Sequence, residues 1–333
     1  MKISQVVFSE SLPKLSSKAT VVIYDRKLIQ NNAFKKWLSQ FPKKLAVTAG
    51  EKLKNLDEFP AYVKKVLKLT ENENIKDLTV VAVGGGSVGD FAGFLASVLK
   101  RGVRLIHIPS TWLAAIDSAH GGKTALNVGQ YKNQIGSFYP AEKVLISKTL
   151  LDTQTKKQLR SAYGELFKIA LINGGQLMKT VSALRSLDTN SLWKLLPSAI
   201  KAKIKIVNSD PYEKNKIRYY LNLGHTLGHA FELDQKLAHG DAVLLGTQFA
   251  LNWSRHRNLL SESLYQKTQD GVLVKPKIKK LNQNVLKKAL GQDKKSTDNS
   301  RIHFVFLKKP GQCVLQKVKV SEILSEAKRQ GWV

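Results

Sequence analysis

The chain has 333 residues, of which 54 are Lys or Arg and 25 are Asp or Glu, giving a formal net charge of +29, and 43% are hydrophobic. That apolar share excludes wholesale disorder, and the length accommodates two domains with a core each. The single cysteine, Cys313, excludes a disulfide framework and a cysteine-based zinc site, and no apolar run approaches the roughly 18 residues that a bilayer span requires.

The first residues, MKISQVVFSESLPK, lack the long apolar segment of a secretory signal, so a cytoplasmic protein without membrane segments is expected. The basic excess runs through both halves of the chain and is not gathered in one arm. Its densest stretch, Lys275 to Lys295, intersperses lysines with Ile278, Leu281, Val285, Leu286 and Ala289. That is the pattern of amphipathic structure with a solvated basic face, and it argues against a specific nucleic-acid partner.

Strand-like and helix-like segments alternate through the first half. Ala19 to Tyr24 and Leu45 to Thr48 are short strand-like runs, and Phe59 to Leu69 has helical spacing. Leu78 to Val83 is a continuous apolar run of the buried parallel-strand type. Gly84-Gly85-Gly86 interrupts it, Val88 to Leu99 reads as a helix, and strands are expected at Leu105 to Ile108 and Val144 to Ile146. Such alternation predicts a parallel α/β sheet. From about residue 150 helical patterns dominate: Lys156 to Ile172, Leu192 to Ser209, His225 to Leu233 and Asp241 to Trp253, with one late strand near Ile302 to Leu307. The expected organisation is an α/β nucleotide-type domain over 1–150 and a mainly helical domain over 151–333.

Gly84, Gly86 and Gly89 match G-x-G-x-x-G between a predicted strand and a predicted helix. Glycines there let backbone N–H groups approach a phosphate, and the positive end of the helix favours its charge. The usual dinucleotide fingerprint also has an acid about 20 residues on. None lies between Asp90 and Asp117, so the turn reads as a phosphate cradle outside the standard dinucleotide unit. Gly121-Gly122-Lys123-Thr124 imitates the end of a phosphate-binding P-loop, but Asp117 occupies the place of that motif's first glycine. Asp117, Lys123, Lys132 and Asn133 instead read as a polar ligand-binding loop.

Three of the seven histidines, His225, His229 and His239, fall close together. His225 and His229 stand four apart and share one helical face. HTLGH is not HExxH, because Thr226 stands where that motif has glutamate, so a zincin protease is not expected. Glu165 lies upstream on an apolar helix, with Lys168 three residues on. Two neutral imidazoles and a carboxylate suit Zn²⁺ with an open position for water or substrate. Spacing alone selects His225 and His229 as the metal pair, and leaves open which of the three histidines is an acid or base.

Taken in order, the segments VVAVGGGSVGDFAGFLASVLKRG, IPSTWLAAIDSAHGGKTALN, KNQIGSFYP, GELFKIAL, LNLGHTLGHAFE and LAHGDAV resemble the 3-dehydroquinate synthase group of sugar-phosphate cyclases, with a weaker echo at Asp293-Lys294-Lys295. The resemblance covers about Gly50 to Ala250. It implies an N-terminal α/β NAD-binding domain, a C-terminal helical metal-binding domain and a homodimer. It also implies Glu165, His225 and His239 as ligands of a divalent metal, zinc or cobalt, with His229 as an active-site polar group. Lys123, Lys168, Arg218 and Asn222 would join His229 in catalysis. Arg101, Asp117, Lys132, Asn133, Lys203 and Lys294 or Lys295 would bind substrate. NAD would lie along Gly85, Gly86, Ser87 and Asp90, with Asp25, Glu51, Lys54, Thr111, Lys123, Lys132 and Thr153 around its other parts. The implied reaction converts 3-deoxy-arabino-heptulosonate 7-phosphate to 3-dehydroquinate and phosphate, a step of the shikimate pathway to the aromatic amino acids. A pocket rich in Lys and Arg matches a substrate that carries both a carboxylate and a phosphate.

The chain departs from the family pattern in places. Gly164 precedes Glu165 where Ala is usual, His120 replaces a small aliphatic, and the Asp25-Arg26-Lys27 segment lacks an Asn common two residues after the Asp. There is also one extra residue between Glu213 and Arg218. Another sugar-phosphate cyclase, or a metal-dependent alcohol or glycerol dehydrogenase, is the alternative.

Overall fold

The structure, a computed structural model, describes residues 4–276, 280–291, 296–298 and 301–333. The chain divides into two units, residues 1–155 and 156–333.

In chain order the first unit contains β1 (Gln5–Ser9), β2 (Thr20–Asp25), α1 (Asn32–Leu38), β3 (Lys43–Val47), α2 (Phe59–Leu69), β4 (Thr79–Gly84), α3 (Gly86–Val98), β5 (Arg104–Pro109), α4 (Trp112–Ile116), β6 (Lys123–Val128), β7 (Tyr131–Phe138), β8 (Lys143–Ser147) and α5 (Lys148–Leu151). Six strands form a parallel sheet in the order β1-β8-β5-β4-β2-β3. Every residue of β4 is buried, which explains its unbroken apolar run: a central parallel strand is covered on both faces. The edge strand β3 carries Lys43 and Lys44, charges that discourage pairing with another chain.

Tyr24, Phe34, Trp37 and Phe41 form one aromatic cluster of the core, with ring centroids 4.6–5.7 Å apart between neighbours. Phe59, Tyr62, Phe91 and Phe94 join α2 to α3. From β2 the chain crosses to the edge strand β3, and then returns to place β4 on the other side of β2. The connections out of β2 and β4 thus diverge. In open α/β sheets the crevice outside the carboxyl ends of such strands is where ligands sit. Asp25 ends β2 and Gly84 ends β4, so both lie at that crevice.

Of the residues read from sequence as a ligand-binding loop, Lys123, Lys132 and Asn133 lie on the antiparallel hairpin β6–β7 and Asp117 precedes it. Nearly all of β7 is exposed, so its sequence carries no strand-like apolar alternation.

The second unit contains α6 (Lys156–Asn173), α7 (Gly175–Ser182), α8 (Thr189–Ser209), α9 (His225–Gln235), α10 (His239–His256), α11 (Glu262–Asp270), α12 (Gln283–Gly291), β9 (Ser296–Asp298), β10 (Arg301–Lys309), β11 (Gln312–Lys319) and α13 (Val320–Arg329). The single late strand expected from sequence is the middle of a three-stranded antiparallel sheet, β11-β10-β9. Phe249 and Trp253 of α10 pack on Phe304 and Phe306 of β10, burying the apolar side of both elements.

Helices α6, α9 and α10 meet backbone to backbone. A Cβ placed on Gly164 would overlap the carbonyl oxygen of Gly240, and one on Gly240 would overlap the carbonyl oxygen of Ser161. Gly224, with φ of 81°, turns the chain into α9, and a Cβ at Gly246 would overlap its carbonyl oxygen. The Gly240 N–H donates to Ser161 Oγ at 3.1 Å, and Arg160 pairs with Asp241 at 3.0 Å, so polar contacts secure the same crossing.

Helix propensity alone favours Ala over Gly by up to about 1 kcal/mol, whereas overpacking costs about 1–3 kcal/mol. Gly240→Ala is therefore expected to lower the urea midpoint of this unit with an unchanged denaturant slope. A raised midpoint would contradict the close crossing.

Candidate active site and cation site

The helical unit gathers Glu165, His225 and His239. Glu165 lies within α6 and is fully buried, while His225 and His239 are the first residues of α9 and α10. The two carboxylate oxygens have separate tasks. Glu165 Oε2 meets the buried ammonium of Lys168 at 2.5 Å. Glu165 Oε1 faces His239 Nε2 at 3.2 Å and His225 Nε2 at 3.7 Å. One donor atom from each of the three lies within 4.8 Å of the others. A cation among them could approach each donor at the roughly 2.0–2.2 Å of zinc–nitrogen and zinc–oxygen bonds. Two imidazoles and one carboxylate also form a donor set that leaves a coordination position open.

Both imidazoles point Nε2 inward because Nδ1 is engaged elsewhere. His225 Nδ1 lies 3.4 Å from the Leu223 carbonyl oxygen, and His239 Nδ1 lies 2.6 Å from Glu232 Oε1. Burial works against a charged His239. The hydrogen bonds and charges of Glu165 and Glu232 outweigh it and push the imidazole up to about 10.

His229 is exposed; its ring stands edge-on to His225 with centroids 5.6 Å apart, and it is not among the three converging donors. The pair that spacing selects, His225 and His229, is thus not the pair that faces Glu165. A long-range return of the chain brings His239 there instead.

Lys203 on α8 and Arg218 are buried in the same unit, and Asn222 is half-buried. Arg218 is held by a loop wrapped around Asp210. This carboxylate is itself buried, which would raise its pKa, but backbone N–H donors from Asn215, Arg218, Lys214 and Ile217 win and hold it low. Asn215 N donates at 3.0 Å, and Arg218 Nη1 donates to the Pro211 carbonyl at 3.0 Å. Within this loop Glu213 and Lys216 take left-handed conformations. Lys294 and Lys295 lie outside the described residues.

In the first unit, Gly84, Gly85, Gly86, Asp90, His107 and Lys123 line a pocket at the carboxyl end of β4. Ser87 Oγ accepts from the Gly50 N–H at 3.0 Å, and Thr111 caps α4 by accepting from Ala114 N at 3.2 Å. Lys54 is buried and pairs with Asp90 at 2.7 Å, while also donating to Asn133 Oδ1. Burial raises the Asp90 carboxyl, against the pull of Lys54. Asn127 ties Glu51 Oε2 to this group at 2.9 Å and accepts from Asn133 N at 2.9 Å. Asp117 is near enough to act on Asp90 electrostatically. Lys132 is exposed on β7. Asp25 and Thr153 make local bonds, to Lys27 N and the Leu150 carbonyl respectively. Arg101 is the outlier: it is exposed just before β5, at the end of α3 remote from the glycine turn.

Sequence reasoning missed Glu232, Asp210, Asn127 and His107. Glu232 had a signal, since it follows His225 by seven residues and shares its helical face. Nothing local marks Asp210, whose partners appear only once the loop closes. His107 sits within an apolar strand, where burial pushes its imidazole down to about 4.

A parallel sheet with a glycine turn at its switch point, and a helical unit with a carboxylate and two imidazoles converging, define the architecture of two-unit, nucleotide- and metal-dependent enzymes. Models of the 3-dehydroquinate synthase N-terminal and C-terminal domains match residues 44–161 and 162–296. The chain is 36% identical over 258 residues to a 3-dehydroquinate synthase of Legionella pneumophila (strain Lens), covering 74% of this chain and 69% of that one. It is 34% identical over 338 residues to that of Leptospira interrogans serogroup Icterohaemorrhagiae serovar copenhageni (strain Fiocruz L1-130), covering 97% and 92%. Among solved structures, a 2-deoxy-scyllo-inosose synthase complexed with carbaglucose-6-phosphate, NAD⁺ and Co²⁺ aligns with a TM-score of 0.84 at 26% identity, covering 98% of this chain and 96% of that one. An iron-containing alcohol dehydrogenase of Thermotoga maritima shares the fold alone, with a TM-score of 0.60 at 14% identity over 98% and 97% of the two chains. The chain belongs to the 3-dehydroquinate synthase family, whose members are carbon–oxygen lyases. Among the described residues, no helix is long and apolar enough to cross a membrane.

His225→Ala is expected to lose bound Zn²⁺ after dialysis against trace metal, measured by atomic absorption, while His229→Ala retains it. Equal retention by both variants would remove His225 from the donor set.

Proposed function

We propose that the protein is a 3-dehydroquinate synthase that converts 3-deoxy-arabino-heptulosonate 7-phosphate to 3-dehydroquinate and phosphate in the cytoplasm. The observation that carries this reading is the convergence of Glu165 Oε1, His225 Nε2 and His239 Nε2 in a chain of this family. The three residues would hold a divalent cation, zinc or cobalt. The glycine turn with Ser87, Asp90 and Lys54 would hold NAD, with Asp25, Glu51, Thr111 and Thr153 around it. When bound, the cation supplies Lewis-acid polarisation of a substrate hydroxyl and NAD supplies a reversible hydride acceptor.

The chain's own residues do the rest. Lys168 neutralises the outer oxygen of Glu165, so the inner one keeps its aim. Arg218 and Lys203 are cations buried within the helical unit, and desolvated cations bind carboxylate or phosphate more strongly than solvated ones. Lys123 and Lys132 add exposed positive charge along the hairpin, and Asn133 anchors its β7 strand to Lys54. Asn222 and His229 offer hydrogen-bonding groups for hydroxyls, and His229 a group for proton transfer. Such an anion-directed set favours a sugar phosphate over the neutral alcohols of a dehydrogenase. A homodimer goes with this reading.

With NAD⁺, Zn²⁺ or Co²⁺ and the heptulosonate phosphate, the purified protein is expected to release one phosphate per 3-dehydroquinate formed, and a strong chelator is expected to abolish turnover. Absence of phosphate release sinks the reading. Release only from another sugar phosphate moves the assignment to a sister cyclase, the alternative favoured by the structural neighbour with NAD⁺ and Co²⁺.

A further inference from the structure

The two inward-facing imidazoles are supported unequally. His225 leans on a backbone carbonyl at 3.4 Å, a long contact with a neutral acceptor. His239 leans on the carboxylate of Glu232 at 2.6 Å, a short contact with a charged acceptor. Glu232 reaches it from the next helix. His225, His229 and Glu232 stand four and three residues apart on α9 and share one face, while His239 begins α10. One face of α9 therefore supplies a donor of its own and the acceptor for the donor on α10.

A cation beside His239 meets two electrostatic obstacles. The first turn of α10 carries the partial positive charge of a helix N-terminus. One of the charges facing it, Glu165, is already shared with Lys168. A further carboxylate behind His239 offsets both. Its hydrogen bond also keeps the Nδ1–H in place, so that Nε2 presents its lone pair inward, and it increases electron donation from that nitrogen.

We propose that Glu232 is a positioning residue that fixes the tautomer and orientation of His239 and strengthens it as a ligand of a divalent cation. This rests on the cation site proposed above. Glu232 touches neither substrate nor cation and acts through the imidazole.

The test measures Zn²⁺ affinity of the metal-stripped protein by competition with a chromophoric chelator, so it does not depend on turnover. Glu232→Gln keeps the size and an acceptor oxygen but removes the charge, and is expected to weaken Zn²⁺ binding about tenfold. Glu232→Ala removes the acceptor altogether, with an expected loss nearer a hundredfold, the range for groups that orient metal-bound histidines. The visible spectrum of the Co²⁺-loaded protein is expected to shift in Glu232→Gln. A merely structural helix-to-helix bond would lower the melting temperature of the metal-free protein and leave the Zn²⁺ affinity alone. Wild-type affinity in Glu232→Gln therefore overturns the proposal whatever the alanine variant does, including failure to fold. If the unaltered protein binds no Zn²⁺, the cation site falls as well as the role of Glu232. If it binds and Glu232→Gln binds equally, only the role of Glu232 falls.

Discussion

The carbonyl oxygen of Gly240 occupies the space in which a side chain at position 164 would begin. That contact sets the separation of α6 and α10, and it lies one residue from Glu165 on one helix and one residue from His239 on the other. The third donor follows the same rule. His225 comes directly after Gly224, whose carbonyl oxygen occupies the place of a side chain at Gly246. Each of the three donors is thus the chain neighbour of a glycine in backbone contact with α6 or α10. Metal ligation tolerates about 0.2 Å in its distances, and flexible side chains between helices do not hold separations to that standard. Backbone atoms in direct contact do. Glycine at 164 leaves room for the Gly240 carbonyl next to the carboxylate.

Rigid spacing solves one problem and creates another, because it places Glu165 where no water can solvate it. A buried lone carboxylate would be costly. Lys168, one helical turn on, supplies the counter-charge to one oxygen and leaves the other to face the imidazoles. The first unit uses the same device. Asp90, near the start of α3, is raised by burial and answered by the buried Lys54. Lys54 in turn holds strand β7 of the β6–β7 hairpin through Asn133. In both units a buried lysine fixes an acid and, with it, the segment that the acid serves.

The parts of this protein legible in the sequence are those governed by local rules. The buried strand β4, the glycine turn and the limits of α2 followed from burial pattern and helical spacing, and all of them appear in the fold. The hairpin β6–β7 did not, because β7 is exposed along nearly its whole length and has no reason to alternate apolar and polar residues. The cation site divides along the same line. Spacing on α9 correctly put His225 and His229 on one face, but a face has two ends, and only the return of the chain into α10 decides which end meets Glu165. The family resemblance supplied that long-range information by order of motifs. It could not supply Glu232 or Asp210, whose roles consist of contacts that close only in three dimensions.

The large positive charge bears on these contacts in an unexpected way. In a chain with 54 basic and 25 acidic side chains, an acid set among cations of the surface is readily paired and carries little information about a site. The informative acids are those wholly or partly withdrawn from that surface. Glu165 organises a lysine and two histidines, Asp210 gathers the backbone of a loop that carries Arg218, Asp90 orders Lys54, and Glu232 directs His239. Glu165 and Asp210 each draw several donors to one point, which is what a scarce acceptor does when donors are abundant. The remaining basic exterior raises the local concentration of anionic solutes at low ionic strength. What separates Lys168 and Arg218 from the exposed basic residues behind the number +29 is that Glu165 and the Pro211 carbonyl fix their positions.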